Sequence, residues 1–520
     1  MATYKTPGVY IEEISTMPPS VAEVETAIPA FIGFTEKGTV NSPVRITSLV
    51  DYELYFGVAE PETDLSADVT ESGEISITVD PAKVSHSVMY YAMQLYFSNG
   101  GGPCYIVSIG NFAANPKGEP AASFKLYSDA LKVVEKEDEP TLLVFPDAPF
   151  SLIPDQYYKL IMEAITQCTK LGDRFTIVDV IFVPDPAAPT VDPRKSTGPF
   201  RDGVVEAPTA NLKYAAAYFP YLNTTISPDF EDTLIKAGAG KALEDLKKEK
   251  DTLRAASTAA KADFDAASAL PDTDPEKKNK VATTRRAADA AEKKAKDVEK
   301  LLSDTPEERT FTNLLVNKIE LEVRKMGVVL TPCAAVAGVY AAVDNERGVW
   351  KAPANVSLLN VKSTTVKITN DDQDDMNIDV NDGKSINAIR PFIGKGVKIW
   401  GGRTLDGNDN EWRYINVRRF FNMVEESVKK STYWAVFEPN DINTWIKVRA
   451  MIENYLILKW RDGALAGAKP EDAFYVRVGL GQTMTSLDVL EGRMIIEIGM
   501  AAVRPAEFII LKFSHKLQTT

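Results

Sequence analysis

The middle of the sequence alternates short apolar runs with segments of helical period, and this alternation constrains the fold more than any other feature. Residues 27–38, 141–148 and 174–185 are apolar runs that end at glycine, aspartate or proline. Between them, residues 85–101 and 160–168 carry apolar side chains at spacings of three and four. Because strands that alternate with helices form sheets covered by helices, the pattern predicts an α/β fold with mixed α+β character.

One long segment breaks this pattern. Residues 235–302 are rich in alanine, lysine, glutamate and aspartate, and the apolar positions of their second half form a narrow seam at spacings of three and four. The string LPDTDPE separates the two halves. We therefore predict an antiparallel helical hairpin that projects from the body, inserted into a middle region at 27–385. A chain of 520 residues also exceeds one ordinary core, so several domains are expected.

The two ends of the chain have the character of unpaired strands. At the N-terminus the candidate residues are Val9, Tyr10, Ile11, Glu12, Glu13 and Ile14, which Met17-Pro18-Pro19 follow. At the C-terminus they are Glu507, Phe508, Ile509, Ile510, Leu511, Lys512 and Phe513. An unpaired strand is a template for β-augmentation, so we predict an N-terminal arm at 1–26 and a C-terminal arm strand at 506–520. For the N-terminal arm the alternative is a frayed terminus. The C-terminal strand is too apolar to remain exposed to water.

Composition argues against several function classes. There are 59 basic and 73 acidic residues, and the net charge of −14 disfavours contact with nucleic acid or with an anionic membrane surface. The apolar run at 327–343 is shorter than the roughly 20 residues of a membrane span, and we interpret it as a buried strand and turn. His86 and His515 lie far apart, and the three cysteines form no CxxC pair. We therefore expect no metal, no cofactor, no membrane insertion and no catalytic site.

Two motifs that suggest ligands fail on spacing. The string AGAGKALED lacks the first glycine and the final Ser or Thr of a phosphate loop, because Ile235 and Ala242 occupy those positions. The acidic loop at 371–383 would need carboxylates where Ile378 and Ile389 stand if it were an EF-hand. A solvated loop is the expected structure there. The wide spacing of cysteines fits folding in a reducing compartment.

A helix that begins near Asn440 is the candidate for contact with a partner. Residues 384–461 hold 14 basic and 8 acidic side chains, a local charge of +6 in an acidic chain. Ile442, Trp445, Ile446, Ala450, Ile452 and Leu456 predict an apolar face of this helix. Lys447, Arg449 and Lys459 should then lie off that face, free to meet an acidic partner.

Several long strings carry a resemblance to a known family. They are TPGVYIEEIS, AIPAFIGFTEKG, LTPCAAVAGVYAAVDNERGVWKAPAN, NAIRPFIGKGVKIWGGRTL and the C-terminal run from LILKWRDGALAGAKPEDAFYVRVG to GMAAVRPAEFIILKF. In this order they resemble the contractile tail sheath proteins of phages, tailocins and extracellular contractile injection systems. The string VGLGQTMTSLDVLEGR departs from the family's cysteine–aspartate pattern. A single chain that carries both ends favours a phage tail, a tailocin or an extracellular injection particle.

The resemblance implies a mechanical function. It implies an inner core domain at 386–505, lying against an inner tube protein, and a homo-oligomer of stacked hexameric rings that forms a helical cylinder. Arms would add strands to neighbouring subunits, and Lys447, Arg449 and Lys459 would face the tube. Baseplate and terminator proteins would meet the ends of the cylinder, which would assemble in the bacterial cytoplasm and be released with the particle. The alternatives are a capsid, baseplate or adhesion module that uses the same edge strands, and an enzyme with an unrecognised site.

Overall fold

The fold was analysed on a computed structural model, which describes residues 20–69, 74–80, 83–115, 122–184, 191–204, 209–271, 276–303 and 308–511. The predicted arm residues from Val9 to Ile14, together with Lys512 and Phe513, lie outside these ranges. The strands are β1 (Pro29–Gly33), β2 (Val44–Ile46), β3 (Ser66–Val69), β4 (Ile75–Thr78), β5 (Cys104–Ser108), β6 (Leu142–Val144), β7 (Phe175–Asp179), β8 (Ala215–Phe219), β9 (Leu222–Thr224), β10 (Val329–Leu330), β11 (Val356–Ser357), β12 (Val361–Thr364), β13 (Ile386–Phe392), β14 (Gly396–Ile399), β15 (Phe474–Val478) and β16 (Ile496–Met500).

The helices follow the same chain order. They are α1 (Leu49–Phe56), α2 (Met89–Ser98), α3 (Phe124–Val134), α4 (Ala148–Ser151), α5 (Pro154–Leu171), α6 (Arg194–Gly203), α7 (Asp232–Ser268), α8 (Lys277–Ser303), α9 (Glu308–Lys325), α10 (Cys333–Arg347), α11 (Asn370–Asn377), α12 (Ile415–Ser431), α13 (Ile442–Arg461), α14 (Pro470–Ala473) and α15 (Ser486–Leu490). Within the described ranges, none of these helices is both long enough and apolar enough to span a membrane.

A nine-stranded sheet forms the centre of the body, with the strand order β11-β14-β13-β8-β7-β6-β1-β5-β2. The six strands from β13 to β5 run parallel to one another, and antiparallel strands complete both edges. Side chains alternate across it: Ala30 and Ile32 of β1 pack with α3 and α5 on one face, whereas Phe31 packs with α2 and α10 on the other. Both faces are therefore covered by helices, and the predicted mixed α/β class is confirmed.

The apolar run at 327–343 differs from its prediction. Only Val329 and Leu330 form a strand, and the run from Cys333 onward lies in the buried helix α10. A Cβ on Gly338 would lie 2.5 Å from the carbonyl oxygen of Tyr96, so a glycine at this point lets α10 approach α2 closely. The interpretation as strand and turn was wrong because a continuous apolar run carries no period that separates a buried helix from a strand.

The segment at 235–302 forms the expected pair of antiparallel helices, α7 and α8. Arg254 of α7 donates to Glu299 of α8 over 3.0 Å between Nη1 and Oε1, so the helical turns that carry these two residues lie side by side. At its base, the hairpin packs on β3, β4 and α9 through a small core that includes Leu243, Leu246 and Ile319. Its distal part is mostly exposed, so only the base shares a core with the body.

A separate apolar cluster forms near the C-terminus from α12, α13, β15 and β16. By contrast, β13 and β14 pair within the central sheet. The boundary expected between residues 385 and 386 therefore lies inside that sheet, since β13 joins β8 through parallel pairing from Ile386 to Ala388. The division of the chain into outer and inner domains stays a prediction, and the structure gives α12 to β16 as the unit with its own core.

Candidate functional site

The segment that leads to the N-terminal arm lies along α12. The backbone N–H groups of Ala22 and Val24 donate to the hydroxyls of Ser431 and Ser427, each over 3.1 Å. Because these serines are four residues apart, they occupy the same side of the helix and bond alternate residues of an extended chain. The N-terminal segment is thus fixed to the C-terminal unit before it enters β1.

A buried ion pair holds the end of this segment. Asp344 of α10 and Arg419 of α12 form a bidentate contact, with 3.0 Å between Nη1 and Oδ1 and 2.5 Å between Nη2 and Oδ2. Thr26 joins both partners: its hydroxyl donates to Asp344, and its carbonyl accepts from Arg419. Both charged side chains are almost fully buried. Three elements, α10, α12 and the base of the arm, therefore meet at one charged contact.

The base of the C-terminal arm is held by a second buried arginine. Arg403 donates to Glu507 from Nε over 2.9 Å and from Nη2 over 2.5 Å, and Tyr414 also donates to this carboxylate. The side chain of Arg403 is only 4% exposed. Glu507, one of the predicted arm residues, therefore contacts the body of its own chain.

The chain changes character immediately after Glu507. Phe508, Ile509, Ile510 and Leu511 are 69–79% exposed. These four residues belong to no helix or strand of the same chain. Apolar side chains in such a row would be covered if the segment paired with another subunit, as the arm prediction requires.

The hairpin of β15 and β16 offers edges for such pairing. It forms a two-stranded sheet, with register pairs from Phe474–Met500 to Val478–Ile496. Within the described residues, each strand hydrogen-bonds only to the other, so both outer edges are open along the strands. Immediately after β16, residues 501–503 pair with residues 464–466. Val476 and Val478 face the core while Tyr475 and Arg477 are exposed, and the sheet therefore lies with one face on the C-terminal unit.

The predicted partner helix exists as α13, and its buried face agrees with the expected one at Ile452 and Leu456 but not in its first turns. Asp441 caps it by accepting from the N–H groups of Asn443 and Thr444, and these bonds, that of Thr444 above all, lower the pKa of the Asp441 carboxyl. The buried positions are Thr444, Val448, Met451, Ile452, Tyr455, Leu456 and Lys459. Ile442 and Ile446, expected inside, are 62% and 59% exposed.

The three basic candidates on α13 fall into different environments. Lys447 is exposed, and Arg449 is about half exposed and pairs with Glu453 of the next turn. Lys459 is buried: its Nζ lies 2.5 Å from Oε2 of Glu23 and over the ring of Trp350. The expectation that Lys459 faces a partner is therefore wrong, because its side chain turns back to the N-terminal segment.

The crevice where doubly wound folds bind phosphates is occupied by the chain itself. Asp147, after β6, accepts from the N–H groups of Phe34 and Val88, and Asp179, at the end of β7, accepts from that of Cys333 at the start of α10. Burial raises the pKa of each carboxyl to about 7. Helix N-termini at this edge bind phosphate in nucleotide-binding proteins, and here an internal carboxylate takes that place. Within the described ranges, no cluster of three His, Cys, Asp or Glu side chains has the arrangement of a metal site.

Comparison with known proteins finds similarity to tail sheath proteins. Residues 407–516 match the phage tail sheath C-terminal domain, which covers α12 to β16 and the base of the C-terminal arm. The chain is 29% identical over 129 residues to the tail sheath protein of Enterobacteria phage T4, and 27% identical over 121 residues to that of Vibrio phage KVP40. These matches cover 24% and 23% of this chain but only 19% and 18% of the phage proteins, so the chain spans less than a fifth of these two relatives.

Solved structures extend the similarity to nearly the whole chain. The chain is 28% identical to the contracted helical sheath of the anti-feeding prophage, with a TM-score of 0.58. The match covers 99% of this chain and 100% of the prophage sheath chain. The contracted sheath complex of PVC, an extracellular contractile injection system, is 26% identical with 99% coverage of each chain and a TM-score of 0.59. The resemblance to contractile tail sheath proteins is therefore confirmed. Within that class, the full-length similarity is to sheath subunits of injection systems.

Proposed function

We propose that this chain is the structural subunit of a contractile sheath, which polymerises around an inner tube and contracts to drive the tube through a target envelope. The observation that carries the proposal is the similarity, over 99% of the chain, to sheaths of two contractile injection systems in their contracted states. The subunits would stack as hexameric rings into a helical cylinder. The particle would assemble in the bacterial cytoplasm and act after release.

The arms supply the connections between subunits in this proposal. The open edges of β15 and β16 can each accept a strand, and the apolar residues 508–511 lack a partner strand within their own chain. A neighbouring arm on each edge would bury apolar side chains and pair the free backbone groups. Main-chain pairing between strands survives rotation of the bodies they connect, so the cylinder can shorten without dissociating.

The exposed side of α13 is the proposed contact with the tube. Lys447 and Arg449 remain on it, together with the exposed Ile442 and Ile446. Exposed ion pairs contribute only about 0–1 kcal/mol each, but a cylinder repeats them at every subunit. Weak contacts of this kind would hold the tube in the extended state and release it on contraction. The tube protein should accordingly present acidic and apolar groups.

The experiment is co-expression of the chain with its tube protein, followed by electron microscopy of the purified particles. The proposal predicts long cylinders around a tube, and shorter, wider, empty cylinders after exposure to a mild denaturant. Subunits that remain dispersed, or that form only closed shells, would count against it. The matched control is the chain expressed alone, which should give cylinders of one width and no tube.

A baseplate role is the second candidate. The six-fold symmetrised baseplate of the anti-feeding prophage also contains a chain similar to this one, at 28% identity and a TM-score of 0.57 over 99% of this chain. A baseplate component would give rings or short stacks of fixed height. The distribution of cylinder lengths in the same micrographs therefore separates the two functions.

A further inference from the structure

We propose that two ion pairs of a buried cation with a more accessible carboxylate, Arg403–Glu507 and Lys459–Glu23, act as arm clamps: they are positioning residues that fix where each arm leaves the subunit. The inference rests on the proposed sheath function, which assigns the arms to contacts between subunits. It adds that each arm has a fixed root in its own chain, and that one carboxylate at each root sets its position.

The C-terminal clamp is connected to the central sheet. The backbone N–H of Arg403 donates to Oδ1 of Asn387 over 2.8 Å, and Nδ2 of Asn387 donates back to the carbonyl of Arg403. The same Nδ2 also donates to the carbonyl of Ala217 over 3.1 Å. Asn387 is buried on β13 and Ala217 on β8. A pull on the arm at Glu507 is therefore transmitted through Arg403 to two parallel strands of the sheet.

The N-terminal clamp is connected to the C-terminal unit. Lys459 is 9% exposed, and its ammonium contacts Glu23 between the two residues that bond Ser427 and Ser431. It also lies 5.3 Å from the centre of the Trp350 ring. The arm root is thereby held on α12 and α13 together. Both arms then transmit force into folded parts of the molecule.

The geometry explains why ion pairs, rather than apolar contacts, stand at these points. A charge-assisted bond has a defined direction, and the fork of Arg403 fixes the plane of the Glu507 carboxylate. Withdrawal of Glu507 would leave the buried Arg403 without a carboxylate, and withdrawal of Glu23 would leave Lys459 with only the longer 3.6 Å contact to Asp462; both changes are costly. The root therefore stays in place while the exposed residues that follow Glu507 remain free to pair elsewhere.

The test uses Glu507→Gln and Glu23→Gln, each of which removes one carboxylate charge and preserves the shape of the side chain. Glu299→Gln is the matched control, because Glu299 forms an exposed ion pair with Arg254 on the distant hairpin. The full-length variants are compared for assembly in the presence of the tube protein. We expect the subunit concentration for half-maximal assembly to rise about tenfold or more in the clamp variants, and to stay unchanged in the control.

A second measurement keeps the test independent of assembly. In the unassembled chain, amide hydrogen exchange at Ala22 and Val24 should accelerate in Glu23→Gln, and exchange at Val503 should accelerate in Glu507→Gln, with the rest of the body unchanged. Arg403→Lys retains the charge but loses the fork, and it should recover only part of the assembly. Wild-type exchange at these amides, or wild-type assembly of both clamp variants, would overturn the proposal and leave the sheath function intact. Failure of the wild-type chain to form cylinders would instead contradict the sheath function.

Discussion

Asp344→Asn should be the most destabilising single exchange at the base of the N-terminal arm. Asp344 is 4% exposed and Arg419 3%, so the guanidinium would remain buried with the carbonyl of Thr26 and the ring of Tyr340 as its remaining neighbours. Breaking a buried ion pair on one side costs about 3–5 kcal/mol. That is a large part of the 5–15 kcal/mol typical of a folded domain.

The matched control is Asp138→Asn. Asp138 pairs with Lys430 at 2.7 Å, but its side chain is 74% exposed, so we expect its loss to cost only about 0–1 kcal/mol. The assay is urea unfolding of the soluble chain, with hydrogen exchange at residues 20–26 and in α12 to locate the loss. Exchange should accelerate there in Asp344→Asn and not in the control.

A double variant separates charge from packing in this prediction. Replacing both partners by apolar residues, in Asp344→Leu with Arg419→Met, removes the unpaired cation and should cost less than Asp344→Asn alone. The reasoning would be refuted if Asp344→Asn were no more destabilising than Asp138→Asn, or if the apolar double variant lost more unfolding free energy than either single variant.

Four further outcomes are expected. Deletion of residues 1–14 should leave a soluble chain that forms no cylinders in electron micrographs; normal sheaths would contradict the arm proposal. Replacing residues 259–294 by a short Gly/Ser linker shortens α7 and α8 by matching lengths, and the variant should still assemble. Loss of cylinders would show that the distal hairpin is part of the lattice. Charge reversal at both Lys447 and Arg449 should give empty or prematurely contracted sheaths, and tube-filled particles of normal length would exclude them as the main contact. The pKa of Asp147 is raised from 3.8 to about 7, so its contribution to stability is complete below pH 3.8 and is lost as the pH rises from there to about 7. Between these two pH values the urea midpoint of the wild type should therefore fall relative to that of Asp147→Asn, and parallel profiles would disprove the effect.

Regular periods and local spacing made much of the fold predictable from sequence. The helical seam of residues 235–302 predicted the hairpin of α7 and α8, and the alternation of strands and helices predicted the covered sheet. These features depend on neighbours close in sequence. The helix α10 was missed because every residue from Cys333 to Ala341 is buried, so that no polar face marked its period.

Contacts between distant parts of the chain were not predictable in this way. The partner of Lys459 is Glu23, which lies 436 residues earlier. On a helix, a lysine beside an apolar stripe is normally solvent-exposed, and nothing local indicates that this one bends back. Glu507 was expected only as the start of a strand, and its contact with Arg403 depends on the tertiary fold. The sequence therefore predicted the arms but gave no indication of the contacts at their roots.

The most direct test of the sheath account is a high-resolution reconstruction of the assembled cylinder. The account predicts that the sheet of β15 and β16 is extended on its edges by the N-terminal and C-terminal arms of neighbouring subunits, in both the extended and the contracted state. It also predicts that α13 faces the lumen. A cylinder in which this sheet keeps only its own strands, with the arms folded back on their own subunit, would contradict the account.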